Sequence, residues 1–205
     1  GSTDIFASSR NAHEWYGLLS TIKTNLSDDL VLSGGVDARY YVGSHWYEVA
    51  DLLGGQFYVN DTNDENTSGQ ALKVGDRFNK DYDGIVVRGG LFAQAEYSPS
   101  ADLSIFLASA ISNTTYSKNE FMYYAPTDPA RESDKVDFLG YSVKGGANYN
   151  LSDTRNVFVN IGYFSKAPFL DGNVFQSDSS TDFNEGALNE KVFSAEIGYG
   201  IRGDK

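Results

Sequence analysis

The chain has no cysteine, which removes disulfides, thiol nucleophiles and thiolate-bound metals together. Histidine is nearly as scarce: His13 and His45 are the only 2, too few for a histidine zinc site or a Ser-His-Asp triad of ordinary make-up. No apolar run approaches the roughly 18 residues that a membrane-spanning helix needs, which excludes helical spans but not strands that cross. Positive charge is short as well. The 16 Lys and Arg face 28 Asp and Glu, for a net charge of −12, so nucleic acid is not an expected partner. Proline is limited to 4 residues. The sequence contains no secretory signal, and Gly1-Ser2 reads as a cloning remnant, so the natural start is expected to lie elsewhere.

What is plentiful is Tyr (14), Phe (13) and Gly (21), the residues of strands, aromatic girdles and close packing. A helical protein would use Ala, Leu, Glu and Lys at those positions. With 40% hydrophobic and 21% charged residues the chain is not expected to be disordered. The fold class expected is all-β.

Seven strands are predicted, over 13–26, 30–53, 84–97, 103–116, 136–151, 156–167 and 190–202. Short turns rich in Ser, Asp, Pro and Thr separate alternate pairs, at 27–29, 98–102 and 152–155. Long excursions at about 54–83, 117–135 and 168–189 separate the others. In an antiparallel up-and-down meander that order puts every short turn at one end and every long loop at the other. Outer-membrane barrels sort their connections this way, whereas a soluble sandwich has no reason to.

Period-two alternation runs through the strands. Leu30, Leu32, Gly34, Val36, Ala38, Tyr40 and Val42 oppose Ser33, Gly35, Asp37 and Arg39; Leu91, Ala93, Ala95 and Tyr97 oppose Arg88, Gln94 and Glu96. Tyr141, Val143, Ala147 and Tyr149 oppose Ser142, Lys144 and Asn148, and Phe193, Ala195, Ile197 and Tyr199 oppose Ser194 and Glu196. The apolar face is rich in Gly and Ala and ends in Tyr near the short turns, as a lipid-facing wall can be. An ordinary antiparallel sheet with one solvated face is the plainer reading of the same pattern.

Few motifs carry chemistry. Asp61, Asn63 and Glu65 have the opening spacing of a calcium loop, but Asn66 stands where Gly belongs and Leu72 where the bidentate Glu belongs. A calcium ion in that loop is the one cofactor weighed, against a plain solvated acidic loop. His13-Glu14 begins like a zinc-protease motif without its second His, and no nucleophile elbow or phosphate loop occurs, so an enzyme is not expected. Two aromatic groups at long-loop ends are candidate ligand contacts: Tyr116 with Phe121, Tyr123 and Tyr124, and Phe164 with Phe169. A girdle or loop-packing role is the alternative for both.

Several stretches also resemble mid-barrel strands of TonB-dependent outer-membrane receptors of the kind found in Bacteroidetes-type bacteria. They are Ser9-Arg10-Asn11-Ala12-His13-Glu14-Trp15-Tyr16-Gly17, Leu32 through Tyr41, and above all Val143 through Asn150 and Asn160 through Phe169. Asn189-Glu190-Lys191 is similar to a motif placed before a late strand of that family, with Glu185 where Pro is usual and Ala187 where Leu is usual. The resemblance covers nearly all of residues 1–205 and rests on strand spacing; no single motif is diagnostic.

What the resemblance implies is a part of a 22-stranded transmembrane barrel in the outer membrane. A plug domain and a segment that binds TonB are implied outside this sequence, together with earlier and final strands. The implied activity is TonB-dependent uptake of a large, scarce nutrient. Lipid, the protein's own plug, TonB and that nutrient are the expected partners. The candidate plug-facing residues are Arg39, Arg88, Glu96, Lys144 and Glu196. A soluble or surface β-sandwich that binds a glycan through its aromatic loops is the rival from another class, and a small closed barrel with a structural or adhesive role is a third.

Overall fold

The computed structural model describes residues 1–170 and 172–203. Nine strands occur among them: β1 Phe6–Asn25, β2 Leu30–Asp51, β3 Tyr58–Val59, β4 Ala71–Leu72, β5 Arg77–Tyr97, β6 Leu103–Glu120, β7 Val136–Ser152, β8 Arg155–Lys166 and β9 Glu190–Ile201. Seven form one antiparallel sheet in the order β1-β2-β5-β6-β7-β8-β9, while β3 and β4 make a small hairpin inside the first long loop. A single 3-10 turn, Pro129–Arg131, is capped by the Asp128 carboxylate on the Ala130 amide. The chain is therefore an all-β antiparallel meander, with all three short turns at one end and all three long loops at the other. The sheet is open: β1 and β9 each have one sheet neighbour among the described residues.

Three strands, β1, β5 and β6, are clearly longer than their alternation predicts, while β2 ends at Asp51, two residues short of its predicted end. β1, β2, β5 and β6 run for 20, 22, 21 and 18 residues, three to four times the usual strand of a globular sheet. β5 begins at Arg77 rather than 84, and β6 ends at Glu120 rather than 116. In both extensions polar residues occupy the two faces alike, so period two vanishes although the ladder continues. Tyr82, Asp83, Gly84 and Ile85 still pair with Glu120, Asn119, Lys118 and Ser117.

The register assigns each face without ambiguity. On one side Tyr16, Tyr40 and Val87 are in line; Val36, Leu91, Ile111 and Tyr141 are in line; and Ile197, Val159, Ala147 and Ile105 are in line. These side chains are exposed: Leu107 is 59% accessible, Ile161 54% and Ile197 85%. On the opposite side lie the polar residues and a set of Phe rings laid across glycines. A Cβ on Gly35 would come within 2.7 Å of the Phe92 ring, and one on Gly146 within 2.7 Å of Phe106; Gly198 makes the same room for Phe158. Small residues beside large ones keep the polar face nearly flush.

Burial is confined almost wholly to the long-loop end. One cluster of Val49, Leu52, Leu72 and Phe78 sits under the first loop, and a second of Tyr116, Phe138, Val174 and Phe175 sits under the third. Tyr116 and Phe138 share the polar-face parity of Arg88 and Thr114, so the third loop folds onto that face and leaves the apolar one bare.

Candidate functional site

All five charged residues singled out from the sequence emerge on the polar face. Arg39 pairs in register with Arg88, which pairs with Thr114; Lys144 stands beside Ala108 and Gly162; Glu196 faces Asn160; and Glu96 faces Phe106. They share a face without forming one cluster. Arg39 makes an ion pair with Asp37 at 2.8 Å, and Glu196 accepts from the Asn160 amide at 3.1 Å. Glu96 accepts from Gln94 at 2.7 Å.

The aromatic candidates divide. Tyr116 is buried, its hydroxyl donates to the Pro168 carbonyl at 2.6 Å, and its ring packs edge-on against Phe138. It holds the third loop down. Phe121, Tyr123 and Tyr124 are half-buried in the second loop, where the Asn66 amide donates to the Phe121, Met122 and Tyr124 carbonyls at 2.8, 3.0 and 2.9 Å. Arg131 stacks over Phe121 at 4.7 Å. Burial pushes the Tyr123 phenol up, with Asp64 and Glu120 adding to the rise. Phe164 lies lower, on the polar face, with its ring against Gly162. Phe169 is 66% exposed with the Lys166 ammonium 4.4 Å above its ring, and it alone of the six is bare to solvent.

Asp61, Asn63 and Glu65 point outward from the first loop, and the Asp61 carboxylate takes a long 3.4 Å contact from the Tyr58 hydroxyl. The alternate residue, Asp64, turns in and is 2% exposed. It accepts from the Thr67 amide (2.5 Å) and hydroxyl (2.6 Å), from the Asn60 amide (2.7 Å) and from the Asn79 amide (3.4 Å). No group of three or more His, Asp or Glu side chains placed to hold a metal ion occurs among the described residues. In this loop the inward carboxylate is the organising group, and backbone and side-chain N–H and O–H groups satisfy it.

Burial raises the Asp64 carboxyl, but the bonds from Thr67, Asn79 and Asn60 outweigh it and hold the group below the ordinary carboxylate value. A depressed folded-state value contributes stability that is present above the unfolded value and is lost as pH falls through the folded one. The first loop is therefore expected to open on acidification below the usual carboxylate range. Asp64→Asn should loosen it by about 1–3 kcal/mol at neutral pH and remove that acid step. Protease cleavage within 60–70 as a function of pH measures both; an unchanged acid step in the variant would assign it elsewhere.

Alternation within single strands did not reveal an aromatic row that crosses β1, β2 and β5 on the polar face. His13 and Tyr41 stack at 5.8 Å, with the imidazole Nδ1 2.7 Å from the phenol oxygen. Trp15 meets Tyr41 edge-on at 5.4 Å, and His45 stacks on Tyr82 at 5.1 Å. Both histidines are thus members of one stack, a placement that only the β1–β2 register makes visible.

Two buried ionisable side chains also escaped the sequence. Lys118 is 3% exposed and donates to the Ser177, Asp178 and Ser180 carbonyls at 2.9, 2.5 and 3.0 Å, with its ammonium 4.4 Å from the Tyr82 ring. Glu120 is fully buried and accepts from the Met122 and Tyr123 amides; burial raises its carboxyl against the pull of those N–H groups and Lys118. Asn189, from the motif before β9, ties the return of the third loop to the Leu139 carbonyl at 2.6 Å and the Ser165 hydroxyl at 3.0 Å. No protein-family model matches the chain, and no curated protein matches it.

Proposed function

We propose that this chain is the wall and outer-loop segment of an outer-membrane barrel that imports a nutrient, of the TonB-dependent kind that its strands resemble. One observation carries the reading: the apolar face is free of charge across all seven strands, between two rows of aromatic residues. The lower row includes Tyr97, Tyr149 and Tyr199; the upper includes Tyr16 with Tyr40, and Tyr141 with Tyr163 and Phe193. Between the rows the face carries Leu, Ile, Val, Ala and Gly, with Ser20, Thr24 and Ser109 as its hydroxyls and the Asn113 amide at its upper edge, donating to Asp137 at 2.8 Å. Charge returns beyond them, at Glu14, Asp137 and Lys191 above and Arg155 below.

Along β7 the rows are eight residues apart, from Tyr141 to Tyr149. At about 3.4 Å per residue that is about 27 Å of strand. A tilt of about 40° reduces it to roughly 21 Å of height, close to the about 25 Å apolar band of outer-membrane barrels. The residues of β1, β2, β5 and β6 beyond the upper row would then stand outside the membrane and carry the loops. In lipid an unpaired strand edge is costly, so the reading requires further strands beside β1 and β9. The polar face becomes the lumen, and the loops fold toward it. The protein does no covalent chemistry in this role; it shapes a gated path, and Arg39, Arg88, Glu96, Lys144 and Glu196 face the plug.

Fractionation of the organism that makes the protein tests this, with an antibody to residues 59–76. The expected result is an outer-membrane band well above 22.5 kDa that needs detergent to stay dispersed. A monodisperse, detergent-free protein would overturn it in favour of a glycan-binding sandwich, whose apolar face a second sheet must cover.

A further inference from the structure

Below the third loop, on the polar face, a groove of about 320 Å³ is lined by Arg88, Lys166, Ser112, Thr114, Ser142 and Phe164 together with small and apolar residues. Its lining holds two cations and no carboxylate, in a chain whose acids outnumber its bases by 28 to 16. Lys166 is matched by Glu190 at its rim, 2.8 Å away. Arg88 is not matched: no carboxylate pairs with it among the described residues.

The register makes this more pointed. Arg88 stands directly across the strand pair from Arg39, and like charges in that position destabilise a sheet. Arg39 is steadied by Asp37 at 2.8 Å, while Arg88 lines the groove together with the hydroxyl residues Ser112, Thr114 and Ser142. A guanidinium fork beside several hydroxyl donors, without an internal acid, is the donor set that receives an oxyanion. The volume is at the small end of ligand sites.

We infer that this groove binds a small oxyanion, a carboxylate or phosphate group, with Arg88 as its principal contact and the hydroxyls of Ser112, Thr114 and Ser142 around it. Phe164 supplies an apolar wall beside it, which favours an anion borne on an organic skeleton over a bare ion. That the anion is part of the imported nutrient rests on the transporter reading; the affinity of the groove for it does not.

Titration of the full-length protein in detergent with citrate, and separately with inorganic phosphate, tests the site against chloride at equal ionic strength. Wild type should bind citrate and melt higher in it. Arg88→Gln should lose at least tenfold in affinity and most of that shift, and Arg88→Lys should keep part of both. Without added anion, Arg88→Gln should melt no lower than wild type, since it relieves a like-charge pair. Undiminished citrate binding by Arg88→Gln would overturn the site. So would a variant that melts lower with no anion added while wild type ignores citrate, because the partner of Arg88 would then be a carboxylate of the protein itself. Citrate binding by a protein that proves soluble would sink the transporter and leave the site; failure of binding in a proven outer-membrane protein would do the reverse.

Discussion

Replacing Lys118 by Met is expected to free the third loop at a cost of about 3 kcal/mol in local opening. The ammonium is buried and holds three carbonyls of residues 177–180, and a hydrogen bond to a charged group contributes about 1.5–3 kcal/mol. The sum is not expected in full, because the freed carbonyls recover water when the loop lifts. Methionine keeps the apolar stem against Phe175 and Tyr82, so the variant removes the charge with little change in packing. The effect should be local: the rest of the loop still rests on Tyr116, Phe138 and Val174, and such elements open independently of the sheet. Cleavage between 176 and 183 of the folded protein by added protease reads this directly. About a hundredfold faster cleavage is expected, and protection equal to wild type would mean that the apolar cluster alone holds the loop.

That latch also marks the limit of what could be read before folding. The meander, its turn sorting and its apolar face were legible because one environment acts on one face over many strands, and period two records it. Above the upper aromatic row polar residues occupy both faces, and the signal ends while the strands continue, as at Arg77–Tyr82 and Ser117–Glu120. Side chains that meet only through register were invisible for a different reason. His13, Trp15, Tyr41, His45 and Tyr82 come from three strands, and no local pattern joins them. In the first loop the acidic spacing drew notice to Asp61, Asn63 and Glu65, whereas the turn buries the residue between them; Asp64 is inward because Thr67, Asn60 and Asn79 offer it donors. The five lumen candidates were legible as a face, since parity suffices for that. The opposition of Arg39 and Arg88 was not, since it needs the offset between β2 and β5.

A charge placed at Leu107 separates a wall in lipid from a sheet in water more sharply than any other single change. Leu107 is 59% exposed on the central strand β6, and its register partners on the same face are Ala95 and Gly145, the latter midway between Tyr141 and Tyr149 of the two aromatic rows. Were that face in water, Leu107→Arg would be a surface substitution, worth within about 0.5 kcal/mol of nothing. At the middle of a bilayer it should cost about 2–4 kcal/mol, falling to about 0–1 kcal/mol near the headgroups. The pair Leu107→Arg and Tyr97→Arg therefore gives a depth profile within one face of one sheet. Refolding titrations of the full-length protein into phospholipid vesicles should show the first variant less stable than the second by about 2 kcal/mol. Equal stabilities would remove the hydrocarbon from this face, because no packing argument distinguishes two exposed positions on adjacent strands of the same flat wall.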